Sequence, residues 1–274
     1  GVLGPATTAD PDNVVAANNG TMIVGNVALT NPNHTGFATF TSGGPRNGDS
    51  FLKPGVTAPG VSIVSTGSGT GNGPATISGT SMASPHAAGV AALTRQAHPR
   101  KSSQSLRWNV REWKAAIVNT ADPAGVLGYR TSRGGSGLVQ PALSTKTQAV
   151  AFSQKGLGVS LNFGYAELKE DYSKKLTLKI VNLWPHSGTF HVSSALPAGS
   201  PHSVSFDETS FVVPGESTHF VDVTLNVPAA TAGSSNGAGL SFREVAGLVV
   251  VTPEGSEFNS GIALRVPYYL VPRA

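Results

Sequence analysis

The sequence predicts an α/β region over residues 1–145 followed by an all-β sandwich over residues 146–274. Three observations predict that order. Short apolar runs broken by Gly, Pro and Asn fill residues 1–66 and lead into an alanine-rich helical segment. A second segment, starting near Val110, carries a helix-start signal and apolar residues at three-and-four spacing. Beyond about Lys146 apolar and polar residues alternate, with Pro and Gly turns between the runs.

The first elements read as strands: residues 21–29 (TMIVGNVAL), 36–41 (GFATFT), 56–58 and 61–65, the last two separated by a turn at Pro59 and Gly60. Residues 67–74 (GSGTGNGP) read as a flexible loop. Residues 81–96 (SMASPHAAGVAALTRQ) read as a helix. Pro85 is tolerated in its first turn, where the missing N–H would have no intrahelical acceptor. Ala87, Ala88, Ala91 and Ala92 suit close passage past neighbouring backbones, so this helix is expected to be buried.

After an exposed loop at residues 101–107, a helix is expected over residues 110–120. Asn109 is its N-cap and Glu112 completes a capping box. Val110, Trp113, Ala116 and Ile117 share one face, leaving Arg111, Glu112 and Lys114 to water. In the sandwich, Leu176, Leu178 and Ile180 alternate with polar neighbours, and further strands are expected at 217–227, 247–252 and 262–271. Turns at residues 197–199, 214–215 and 253–255 separate them, and no internal repeat is present.

Composition narrows the function classes. Charged residues are 12% of the chain, while Gly (33) and Pro (19) are abundant, which suits a β-rich, loop-rich protein. The net charge of +4 is scattered, without basic runs interleaved with aromatics, so nucleic acid is not an expected partner. No run of 18 apolar residues occurs, so no helical membrane span is expected. Residues 1–20 lack the basic start and apolar core of a secretion signal. Cysteine is absent, which removes disulfides, thiolate zinc sites and thiol nucleophiles from this chain.

The segment with chemical content is residues 79–89, GTSMASPHAAG. A serine hydroxyl needs a base and oxyanion donors to act as a nucleophile. At a helix start, free backbone N–H groups point towards developing negative charge. Gly79 permits a tight turn into the helix, and Ala83 leaves room beside Ser81. From residue types alone, an ordinary N-cap is the more frequent use of such a serine.

This segment resembles the serine signature of subtilisin-like serine proteases, the subtilases. Residues 53–60 (KPGVTAPG) resemble the family's approach to the serine, with Gly55 in place of an acid. Residues 37–45 (FATFTSGGP), 21–27 (TMIVGNV), 109–121 and 135–142 (GSGLVQPA) are similar to further family segments, in the family's order. The resemblance implies a partial three-layer protease domain, its carboxyl half, over residues 1–145. It implies that Ser81, not Ser84, is the nucleophile, with its backbone amide in the oxyanion hole. The oxyanion asparagine is expected either ahead of Gly1 or at Asn18, in VAANNG. His86 is expected to be structural, and Met82 a packing or substrate-wall residue.

Neither the aspartate segment nor the histidine segment of the family is present. Upstream of Ser81 stand only His34 and the aspartates Asp10, Asp12 and Asp49, none in matching surroundings. The resemblance therefore implies a serine endopeptidase whose Asp and His come from a missing or separate amino half, this chain alone being inactive. The alternative is an inactive fragment or homologue acting as a structural or protein-binding module. Residues 146–274 resemble a fibronectin-type-III-like domain, with YYLVP at 268–272 as its terminal strand. The implied partners are a protein or peptide substrate and the amino half, in a secreted or cell-surface setting. No organic cofactor is implied; calcium is possible by resemblance, without a position.

Overall fold

A computed structural model describes residues 35–100, 108–232 and 244–273. The expected strand at 21–29, the loop at 101–107, Asn18 and His34 lie outside the described residues.

The first region is mixed. Strands β1 (Ile63–Thr66) and β2 (Pro74–Ile77) form an antiparallel hairpin, paired from Ile63 with Ile77 to Thr66 with Pro74. Its loop is closed by Thr70, whose hydroxyl reaches the Gly67 carbonyl at 2.7 Å and the Gly73 carbonyl at 2.9 Å. Helices α1 (Thr80–Ala97) and α2 (Val110–Thr120) follow, then the single turns α3 (Thr131–Gly134) and α4 (Pro141–Ser144).

The α2 terminus forms for the local reason expected. Asn109 accepts from the Arg111 N–H at 2.9 Å, and the Asn109 N–H donates to Glu112 at 3.3 Å. Its faces differ from expectation, however. Val110 is 75% exposed, whereas Glu112 is buried. The buried face is Ala115, Ala116, Val118, Asn119 and Thr120, because α2 lies across the sandwich and docks there through Asn119. The Asn119 amide donates to the carbonyls of Ala151 (2.9 Å) and Arg265 (3.0 Å), and its oxygen accepts from the Ala151 N–H at 2.8 Å.

Two sheets make the sandwich. The five-stranded sheet runs β4-β11-β10-β6-β8 and the four-stranded sheet β3-β5-β9-β7. The strands are β3 (Ala149–Ser153), β4 (Leu161–Glu167), β5 (Tyr172–Asn182), β6 (Gly188–Ala195), β7 (Ser203–Phe206), β8 (Ser210–Val213), β9 (Ser217–Val227), β10 (Val245–Pro253) and β11 (Leu264–Arg273). The short helix α5 (Ala229–Ala232) follows β9. Alternation points Leu178, Val223, Val249 and Val266 into one core shared by both sheets. Pairing is antiparallel except between β11 and β4, whose parallel ladder shifts register between Tyr269 and Leu270.

Two expectations in the first region need correction. Residues 36–41 and 56–58 form no strand; Gly36 only bridges to Leu127, and Thr57 to Leu138. The expected burial of α1 is also not met. Among its residues only Val90 and Thr94 are buried, and Leu93 is 49% exposed. What holds α1 is its carboxyl end. The Thr94 hydroxyl bonds Ser144 Oγ at 2.9 Å, and His98 Nε2 lies 3.1 Å from the Ser144 carbonyl while its ring stacks on Trp108. Among the described residues no parallel sheet covers the remainder of α1.

Candidate active site

Ser81 is the second residue of α1, and it is exposed. Helix geometry leaves amides of a first turn without intrahelical acceptors, so the Ser81 N–H is free to meet an oxyanion. The turn into α1 is built by the Gly60 segment. Gly79 N–H donates to the Gly60 carbonyl at 2.8 Å, and the Met82 and Ala83 amides bond the Gly79 carbonyl at 3.0 and 3.3 Å. A side chain at Gly60 would approach the Gly79 carbonyl to 2.8 Å and the Ala83 Cβ to 3.1 Å. Small residues at 60 and 83 therefore allow the close approach that places Ser81.

The segment on the other flank is tied in by glycine as well. Thr57 exchanges backbone bonds with Gly137 (2.8 Å) and Val139 (2.9 Å). Gly135 has φ 61, and a Cβ there would lie 2.1 Å from the Gly55 carbonyl oxygen, so only glycine fits. A groove of about 290 Å³ opens beside the start of α1. Thr80 and Ala83 form one wall, with Phe37, Phe40, Val61 and Leu138 opposite or beside them. Phe37 and Phe40 fall in the run read as a strand, and nothing local in that run marks them as groove walls.

The remaining expected residues are not gathered at Ser81. His86 turns back on its own helix, its Nδ1 2.9 Å from the Met82 carbonyl. His98 caps the far end of α1, His202 bonds the Tyr268 hydroxyl at 2.7 Å in the sandwich, and His219 pairs with Glu208. Asp49 is held by Arg46, which keeps its carboxyl down at about 2. Among the described residues no hydrogen bond reaches the Ser81 hydroxyl from any histidine or carboxylate. No group of three or more His, Asp or Glu able to hold a metal lies together among them, so calcium receives no position.

Sequence comparisons bear on the same region. A family model described as the Subtilase family matches residues 4–165, which takes in both helices and reaches into β4. The minor extracellular protease Vpr of Bacillus subtilis (strain 168) is 44% identical over 88 residues, 31% of this chain and 10% of that protein. A PI-type proteinase of Lactococcus lactis subsp. cremoris is 31% identical over 223 residues, 75% of this chain and 11% of that protein. The chain thus spans about a tenth of the length of these curated relatives. Among solved structures, PapD-like domain 7 of human CEP192 aligns with 47% of this chain and 87% of its own length. Its identity is 14% and its TM-score 0.32, a likeness too slight to carry a functional argument.

Proposed function

Because this chain belongs to the subtilase family, we propose that it carries the nucleophile of a subtilisin-like serine endopeptidase, Ser81, without the rest of the triad. Alone it is catalytically silent and serves as a structural or protein-binding module. It becomes part of a working site where an amino half supplies the aspartate and histidine. On this reading residues 1–145 are the carboxyl part of a three-layer protease domain, and residues 146–274 are a fibronectin-type-III-like domain that braces it.

One observation carries the reading. Ser81 stands exposed in the first turn of a helix, beside a groove, with no base bonded to its hydroxyl among the described residues. The position suits a nucleophile, and the described residues around it supply no activating base. In the completed site a histidine takes the Ser81 proton as the hydroxyl oxygen attacks the peptide carbonyl carbon. The Ser81 N–H and an asparagine amide, Asn18 or one from the amino half, hold the oxyanion. The histidine then protonates the departing amine, and water hydrolyses the acyl ester and returns the proton. The substrate class is a protein or peptide, and the setting is secreted or cell-surface, a reading supported by one relative named as an extracellular protease.

Hydrolysis of fluorescein-labelled casein tests the silent state. The chain and its Ser81→Ala variant are expected to match the protein-free blank. Turnover by the chain that disappears in Ser81→Ala overturns the reading.

A further inference from the structure

Five basic side chains from distant parts of the sequence meet in one cleft. Its volume is about 660 Å³, and it lies where the α/β region meets the sandwich. Arg46 and Lys53 come from the segment ahead of β1, Lys114 from α2, Lys155 from the turn after β3, and Lys174 from β5. No Asp or Glu lines it. Asp49 engages Arg46 through both oxygens, leaving the four lysines without an ion pair among the described residues. Burial, and then repulsion from Lys53 and Arg46, hold the Lys114 ammonium below its ordinary value.

Like charges crowded over one concavity repel, and a cleft with walls of low dielectric focuses their field on whatever enters. Leu52 and Phe163 provide such walls, and Ser153 and Ser160 stand beside the lysines. The donor set indicates the ligand. The one guanidinium is already engaged by Asp49 in the paired geometry a carboxylate prefers. What remains is a set of ammonium point charges, which suits an oxyanion carrying several acceptor oxygens and more than one negative charge.

We propose that this cleft binds a phosphate or sulfate group, free or borne on a polymer. It shares no lining residue with the groove beside α1, so it is a second site and does not depend on the role of Ser81.

Isothermal titration of the full chain with inorganic phosphate, inorganic sulfate and polyphosphate tests the proposal. Saturable binding of at least one probe is expected. The double variant Lys114→Gln, Lys155→Gln should weaken it about tenfold or more, by loss of charge-assisted contacts. Gly55→Asp should weaken it, because Gly55 lines the cleft and a Cβ there meets no atom within 4 Å, so a carboxylate is added at the basic site without a clash. Lys146→Gln, outside the cleft, should leave it unchanged. Binding confined to polyphosphate assigns the group to a polymer, and equal binding of orthophosphate assigns it to a free ion. Absence of saturable binding by all three probes overturns the proposal. So does binding that persists in the lysine double variant with its fold intact by circular dichroism.

Discussion

The Gly79 N–H meets the Gly60 carbonyl at 2.8 Å, and this one bond joins the approach segment to the first turn of α1. The approach depends on Gly60, where a Cβ would meet the Gly79 carbonyl oxygen and the Ala83 Cβ. Gly60→Ala would drive a methyl to 2.8 Å from the Gly79 carbonyl oxygen and is expected to cost about 1–3 kcal/mol. Gly89→Ala, at an exposed position inside α1 with nothing within 4 Å, is expected to stabilise by about 0.5–1 kcal/mol. Urea unfolding of the two variants should move the midpoint in opposite directions.

Asn259 ties the chain after α4 to the end of the sandwich. Its side-chain oxygen accepts from the Thr147 hydroxyl (3.0 Å), the Gln148 N–H (2.6 Å) and the Ala149 N–H (3.0 Å). Asn259→Ala strands buried donors, each worth about 1–3 kcal/mol when left unpaired. A loss of about 3 kcal/mol or more in unfolding free energy is the expected result.

Stability should fall as the pH drops below neutrality. Burial lowers the His202 and His98 values below their ordinary 6.5, so the unfolded chain takes up protons before the folded chain does. With more protons on the unfolded state, stability falls as pH drops through 6.5 towards the folded values, and is complete above 6.5. Thermal melts between about pH 5 and pH 8 should show this slope, and His202→Gln should flatten it. Asp49 and Asp222, whose carboxyls are held below their ordinary 3.8, lose their contribution only in more acid solution.

Apolar side chains stand uncovered in the first region: Val64 is 66% and Leu93 49% exposed. Val64→Thr and Leu93→Gln are expected to change stability by no more than about 0.5 kcal/mol. If these side chains drive association with another chain, size-exclusion chromatography will show less self-association in the variants than in the parent. A large loss of stability would place them in a core instead.

What could be read from the sequence was local. The α2 capping box needs only Asn109 and Glu112, and both the box and the helix bounds Val110–Thr120 appear as expected. Strand β9 (Ser217–Val227) has the expected bounds, and its burial alternates from Val221 to Val227, while Phe220 is exposed. The start of α1 at Thr80, beside Ser81, was legible from the glycine and the small residues around it. Burial was less legible, because it depends on what packs against an element. Alanines in α1 that suit a buried helix are half-buried or exposed, and Glu112 is buried although its spacing faces it to water. Asn119 and Asn259 join segments more than 100 residues apart, at Arg265 and at Gln148, which no local pattern marks. The basic residues looked scattered along the chain; folding gathers five of them into one cleft.

The most direct test of the central claim is labelling of the purified chain with a fluorophosphonate probe, read by intact mass and peptide mapping. An unactivated Ser81 predicts no adduct in a folded sample. A stoichiometric adduct on Ser81, lost in Ser81→Ala, would mean that a working base is already within this chain, and would contradict the account.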